Sequence, residues 1–248
     1  MKVPIDLGFT ARDIGKAVQR RDLIIVIDVL RCSSTIATAL TNAAKGVIPT
    51  RTVKEARRLH KRHPEFMLAG ERKGVRPRGF DCGNSPLEFS PQKVKGKHII
   101  LTTTSGTKAI ISSRDAKHVF IGAFLNARAV AEAVSKIAEQ EKTGVSLVSA
   151  GTNGNFSLED FVCAGAIARY LPTGKVEYSD AVSAALLAFQ RVHKSLYGVI
   201  KFGSHARRLK SLGFKDDVKF CCQLNAFQSV PFLKGETIVQ LIEVATKT

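Results

Sequence analysis

The sequence has no tryptophan and only three tyrosines in 248 residues, so it offers few aromatic faces for stacking bases. It has no Cys-x-x-Cys pair, and its five cysteines are an odd number, which fits reduced thiols better than a disulfide frame or a zinc site. No two of its six histidines make a His-x-x-x-His pair or a similar metal motif. No apolar run is long enough to cross a bilayer, so no membrane partner is expected. The charged start Met1-Lys2-Val3-Pro4-Ile5-Asp6 lacks the pattern of a signal peptide, and the cytoplasm is the expected compartment. There is no Gly-x-x-x-x-Gly-Lys-Ser/Thr run, which excludes a typical P-loop nucleotide hydrolase. Internal repeats and low-complexity linkers are absent too.

Acidic residues are scarce. Asp and Glu number 21 against 38 Lys and Arg, giving a net charge of +17. Such a surface attracts polyanions or small acidic substrates. The basic residues gather at Lys54 to His63, Arg72 to Arg78 and His205 to Lys215. The first and third groups read as solvated helix faces. The second lies in a loop rich in Gly and Pro. Basic charge without interleaved aromatics is weak evidence for nucleic acid, so nucleic-acid binding ranks last among the readings. The hydrophobic fraction of 44% and charged fraction of 24% are ordinary for a globular protein. A chain of this length buries a full core, as a single domain over residues 1–248 or as two tightly packed lobes.

What is present is organised around Leu23 to Thr35. The apolar, β-branched run Leu23 to Ile27 predicts a strand buried on both faces. It ends in Asp28 and Arg31. Ser33 or Ser34 is then a natural N-cap for an Ala-rich helix over Thr35 to Ala44. Further strands are predicted at Val3 to Leu7, Gly46 to Pro49, Phe66 to Ala69, His98 to Thr103, Val119 to Ile121 and Val145 to Val148. Helices are predicted at Thr10 to Arg20, Val53 to Arg62, Asn126 to about Glu139, Ser157 to Tyr170, Ser179 to His193 and His205 to Leu212. Three late strands are expected at Val218 to Cys222, Val230 to Leu233 and Thr237 to Val244. Between Gly70 and Lys97 the chain reads as a long functional loop, which Phe80, Leu87 and Phe89 are expected to pack down. The alternation predicts a three-layer α/β/α fold with a mixed, largely parallel sheet and late antiparallel strands.

Ligands of such sheets sit beyond the C-terminal ends of the parallel strands. Four polar stretches fall there: Asp28 to Ser34, Glu71 to Arg72, Thr102 to Thr107 and Gly151 to Asp160. Their hydroxyl- and glycine-rich turns, including Thr104, Ser105, Gly106, Thr107, Gly151 and Thr152, can present backbone N–H groups to anionic oxygens. Asp28, Glu71, Asp81, Glu159 and Asp160 are the carboxylates nearby. A hard cation such as Mg2+ takes oxygen ligands, often only one or two carboxylates. Arg31 and Arg72 can grip phosphate or sulfonate in a planar fork, and Arg72 is expected to hold one anionic end of the substrate. Together these residues suit phosphoryl transfer or hydrolysis. Cys163 and Arg169 have the Cys-x5-Arg spacing of cysteine phosphatases. The expected position of Cys163 inside a helix, among small apolar residues, makes it a packing residue instead.

The set Asp28-Val29-Leu30-Arg31 with Ser33-Ser34-Thr35, Gly70-Glu71-Arg72, Gly79-Phe80-Asp81 and Gly83-Asn84-Ser85-Pro86 resembles the 2-phosphosulfolactate phosphatase family. The likeness continues through Leu101 to Thr107, Phe124-Leu125-Asn126-Ala127, Ala150-Gly151-Thr152, Leu158-Glu159-Asp160, His205-Ala206-Arg207 and Gly213-Phe214. It implies a Mg2+-dependent hydrolase that converts (2R)-phospho-3-sulfolactate to 3-sulfolactate on the route to coenzyme M. It also implies catalytic roles for Asp28 and Glu71. Substrate contacts are implied from Arg31, Ser33, Ser34, Arg72, Asn84, Thr104, Ser105, Gly106, Thr107, Gly151 and Thr152, and metal contacts from Asp28, Asp81, Glu159 and Asp160. The implied partner is a small anionic substrate carrying phosphate plus sulfonate or carboxylate, and a homo-oligomer is compatible with the sequence. Another small phosphorylated acid is the alternative substrate.

Overall fold

The computed structural model describes residues 2–241. Among these residues ten strands form one sheet: β1 (Val3–Gly8), β2 (Leu23–Ile27), β3 (Gly46–Thr50), β4 (Met67–Gly70), β5 (His98–Thr102), β6 (Val119–Gly122), β7 (Val145–Ser149), β8 (Val176–Tyr178), β9 (Pro231–Lys234) and β10 (Thr237–Gln240). The helices are α1 (Ile14–Gln19), α2 (Cys32–Thr41), α3 (Val53–Arg62), α4 (Pro91–Val94), α5 (Gly106–Ser112), α6 (Ala127–Glu141), α7 (Leu158–Arg169), α8 (Asp180–Val192), α9 (Leu196–Ile200), α10 (Ser204–Ser211) and α11 (Lys215–Cys221).

The strand order is β4-β5-β3-β10-β9-β6-β2-β7-β1-β8. Two parallel blocks, β4-β5-β3 and β6-β2-β7-β1-β8, are joined by the antiparallel hairpin of β9 and β10. Strand β2 shows why its sequence is apolar at every position. Leu23, Ile25 and Ile27 enter one core with α6, α7 and α8, while Ile24 and Val26 enter a second core with α1, α2 and α5. A period of two with both faces covered is the signature of a central strand in a three-layer α/β/α sheet. The expected mixed, largely parallel architecture is the one found.

Four local expectations are corrected. Val218 and Cys221 are not strand residues but the buried face of α11, at helical i, i+3 spacing, with Asp216 and Asp217 in its first turn. Helix α2 begins at Cys32, so Ser33 and Ser34 lie inside its first turn. The capping oxygen is supplied by Asp28 Oδ1, which accepts the Cys32 N–H at 3.1 Å. Asn126 makes no side-chain cap to α6; its carboxamide bonds the backbone of Ala123, Ile121 and Ser229. In the long loop Phe80 and Phe89 are buried, as expected, but Leu87 is 51% exposed. The strand expected to reach Val244 is seen to Gln240, and its last residues lie outside the described ones.

Candidate active site

A cleft of about 350 Å³ opens where β2, β4, β5 and β7 end. Of the expected residues it is lined by Asp28, Arg31, Glu71, Asn84, Thr104, Ser105, Gly151 and Thr152. Segments from Asp28 to Thr152 meet there because these strands lie in parallel blocks and so present their C-terminal ends on one side of the sheet.

Asp28 is the centre of the acidic wall. It is buried. Its Oδ1 caps α2, and its backbone N–H donates to Ser33 Oγ at 2.9 Å. Its Oδ2 has no hydrogen-bond partner among the described residues. Burial pushes its carboxyl up from 3.8 to about 7; Glu71 and Glu159 push the same way, against the Cys32 N–H and Arg31. Helix α5 sits directly on this group. A Cβ at Gly106 would lie 2.5 Å from Asp28 Oδ2, so only glycine lets the helix approach.

Glu71 is fixed by three donors. Oε1 accepts the Thr104 N–H at 2.6 Å, while Oε2 accepts the Gly74 N–H at 2.7 Å and the Thr104 hydroxyl at 3.1 Å. It therefore ties the β4 turn to the β5 turn. Arg31 is fixed as firmly. Its Nη1 donates to Asp217 Oδ2 at 2.6 Å, its Nη2 to the Gly74 carbonyl at 2.8 Å, and its guanidinium lies 4.3 Å from the centre of the Phe214 ring. Asp217 also accepts the Ser85 hydroxyl at 2.6 Å, which holds the segment beside Asn84. The Asn84 side-chain oxygen is buried, lies in a residue lining the cleft, and has no hydrogen-bond partner among the described residues.

The other expected residues are placed elsewhere. Arg72 does not line the cleft: its guanidinium folds back onto the Glu71 carbonyl at 2.6 Å, Thr102 Oγ1 at 2.8 Å and the Arg51 carbonyl at 3.2 Å. Arg72→Lys should therefore leave KM within about twofold and lower the melting temperature by a few degrees, through loss of this multidentate clamp. A large rise in KM with unchanged melting would restore the substrate contact. Asp81 is exposed, accepts the Leu68 N–H at 2.7 Å and lines a separate hollow with His60 and Lys97. Ser33 and Ser34 bond backbone within their own turn, Ser34 Oγ donating to the Val29 carbonyl at 2.8 Å. Thr107 is occupied with Thr103. Asp160 accepts from Val29 N–H at 2.9 Å and Gly151 N–H at 3.3 Å, so it braces the β2 and β7 turns against each other. Burial, Glu159 and Asp28 together push its carboxyl well above the usual range. Glu159 is buried beside these carboxylates and accepts no hydrogen bond among the described residues. Cys163 is fully buried within α7, and burial pushes its thiol well up, as expected of a packing residue.

Lys73, His205, Arg208 and Leu209 also line the cleft and were not among the expected site residues, and Thr103 and Asn153, inside two of the expected polar stretches, join them. Two sequence signals pointed to them. Lys73-Gly74 and Asn153-Gly154 are dipeptides of two-residue hairpins, each with positive φ at both positions, and Asn-Gly is the commonest such signal. The basic run from His205 reads as a solvated face in the sequence, but His205, Arg208 and Leu209 of α10 line the cleft. His205 Nε2 lies 2.8 Å from the Leu30 carbonyl, so this nitrogen carries the proton.

Strand-end carboxylates and basic side chains gathered in one cleft of an α/β/α sheet suit an enzyme that acts on an anionic ester, and the comparisons identify the class as phosphoric monoester hydrolases. The family model for 2-phosphosulpholactate phosphatase matches residues 9–236. A probable 2-phosphosulfolactate phosphatase of Thermotoga petrophila is 46% identical over 209 residues, covering 84% of this chain and 88% of that protein. Probable 2-phosphosulfolactate phosphatases of Caldanaerobacter subterraneus and Clostridium acetobutylicum are 44% and 39% identical. The first alignment covers 88% of this chain and 92% of the relative; the second covers 94% and 99%. The chain belongs to the 2-phosphosulfolactate phosphatase family.

Proposed function

We propose that the protein hydrolyses the phosphate monoester of (2R)-phospho-3-sulfolactate to 3-sulfolactate and inorganic phosphate, with Mg2+ as cofactor, as a step toward coenzyme M. The observation that carries this reading is a small cleft that gathers Asp28 and Glu71 together with Arg31, Lys73 and Arg208. A three-carbon acid bearing phosphate, sulfonate and carboxylate is matched by such a lining, rich in basic side chains and with carboxylates for a metal.

The donor set fits Mg2+. Among the described residues no group of three His, Cys, Asp or Glu side chains is arranged to hold a metal by itself. Mg2+ does not need one, since it usually takes one or two carboxylates and completes its shell with water and phosphate oxygens. Asp28 Oδ2 and the Glu159 carboxylate accept no hydrogen bond among the described residues, and Asp28 with Glu159 would hold the ion. When bound it would neutralise charge on the phosphate and on these buried carboxylates. The chain's own groups do the positioning. Glu71 locks the Thr104 turn, Gly106 lets α5 lie against Asp28, and Asp28 either orients the attacking water or attacks phosphorus itself.

Phosphate release from a panel of phosphorylated hydroxy acids is the test. Activity should vanish after EDTA and return with Mg2+, with the sulfonated ester the preferred member. Full activity in metal-free buffer would remove the metal from the reading, and preference for an unrelated phosphoester would remove the substrate.

A further inference from the structure

The turn from β2 into α2 carries Asp28 and Arg31, and its carbonyls can be accounted for one by one. Those of Asp28, Val29 and Arg31 are met from the helix that follows: by the Ser33 N–H at 2.8 Å, the Ser34 hydroxyl at 2.8 Å and the Thr35 N–H at 2.9 Å. The Leu30 carbonyl takes its donor from elsewhere. It accepts from His205 Nε2 at 2.8 Å, on α10, 175 residues further along the chain. The neighbouring Val29 N–H is held from a second remote element, donating to Asp160 Oδ1 of α7 at 2.9 Å. The segment between Asp28 and Arg31 is thus tied to two helices that the sequence places far from it.

His205 is set up for this contact. A carbonyl only accepts, so Nε2 carries a proton whether the ring is neutral or charged. The other ring nitrogen, Nδ1, is buried and meets no hydrogen-bond partner among the described residues. Ala206 and Leu209 of the same helix are buried in the core that Leu23, Ile25 and Ile27 of β2 also enter, which fixes α10 against the strand behind the turn. His205 itself is partly exposed, so replacing it leaves that packing intact.

We infer that His205 is a positioning residue of the reaction. Through the Leu30 carbonyl it fixes the turn that carries Asp28 and Arg31 into the cleft, and it neither touches the substrate nor moves a proton. The inference rests on the proposed function for its kinetic consequence and on the fold alone for its structural one. Displacement at phosphorus tolerates little error in placement, and a shift of about 1 Å can cost about 10²-fold in rate. Leu30 is 5% exposed, so bulk water is a poor substitute for the lost donor.

The experiment compares wild type with His205→Gln and His205→Ala. Glutamine can bring its amide N–H close to the place of Nε2 without the ring, and alanine removes the donor. Three quantities are measured: turnover of 2-phospho-3-sulfolactate, the melting temperature, and hydrogen exchange of the peptide covering residues 28–35. His205→Ala should lower kcat roughly 10–100-fold, hold KM within about threefold, and speed exchange in that peptide while melting within a few degrees of wild type. His205→Gln should recover most of kcat and of the protection, and the two readouts should move together in both variants. Loss of kcat with unchanged exchange would put the ring in the chemistry and overturn the inference. A raised KM at unchanged kcat would make His205 a substrate contact and overturn it too. So would an alanine variant with both readouts at wild-type level. If wild type releases no phosphate from the ester, the proposed function falls, and the exchange measurement alone decides whether His205 holds the turn.

Discussion

Asp28→Asn is expected to abolish turnover while making the metal-free protein more stable at alkaline pH. The substitution keeps the size of the side chain and the oxygen that accepts the Cys32 N–H, so α2 stays capped. It removes the charge from the oxygen left free beside Gly106. Phosphate-monoester hydrolysis is among the slowest uncatalysed reactions, and loss of a group at the reacting centre should cost at least ~10³ in kcat. The stability effect has a definite sign. The Asp28 carboxyl is raised in the folded state from 3.8 to about 7, chiefly by burial. Its contribution to stability is therefore full below the unfolded value and is lost as pH rises through about 7. The variant cannot ionise there. In EDTA it should melt at the same temperature as wild type near pH 4 and clearly higher at pH 8, a gain on the order of 4 kcal/mol. Cys163→Ala is the control. It should remain active with a small loss of stability, since its thiol only fills the α7 core. An active Asp28→Asn with a dead Cys163→Ala would reinstate the cysteine-phosphatase mechanism.

The two kinds of residue in this cleft differ in how visible they are in the chain. Asp28, Glu71, Thr104 and Gly151 stand at the ends of runs such as Leu23 to Ile27, whose apolar period makes the strand and its end legible. Their convergence follows from the rule that parallel strands present their C-terminal ends to one side. The direction of a side chain leaving such an end does not follow. Arg72 is adjacent to Glu71, yet the acceptors that win it are Thr102 Oγ1 and the Arg51 carbonyl, on neighbouring strands and turns. Lys73 and Arg208 are less legible: the Lys73-Gly74 dipeptide marks a turn, but each charge looks like ordinary surface charge until the fold brings that turn and α10 to the cleft. The strand expected at Val218 failed because a short run with β-branched residues fits either element. The Asp216-Asp217 pair that begins it, favourable at a helix N-terminus, was the better guide.

Asp217 carries the second large effect. It is 4% exposed and its partner Arg31 2%, so neither charge has access to bulk water. The attraction between them offsets desolvation only while both are present. Asp217→Ala leaves a buried guanidinium that retains the Gly74 carbonyl and the Phe214 face but no counter-charge. It also releases the Ser85 hydroxyl. The expected cost is ~3–5 kcal/mol, or a fall of roughly 10 °C in Tm. Activity should fall further than the folded fraction does, because Arg31 and Asn84 both line the cleft and both lose their anchor. Asp217→Asn keeps an oxygen for Ser85 and should fall between the two. The Arg31→Met/Asp217→Met double variant separates charge from packing. With both charges gone the stability should largely return, while turnover stays low because the cleft has lost Arg31. If the double variant is as unstable as Asp217→Ala, packing around Phe214 rather than an uncompensated charge explains the loss. If Asp217→Ala melts like wild type, the pair does not hold this wall of the cleft at all.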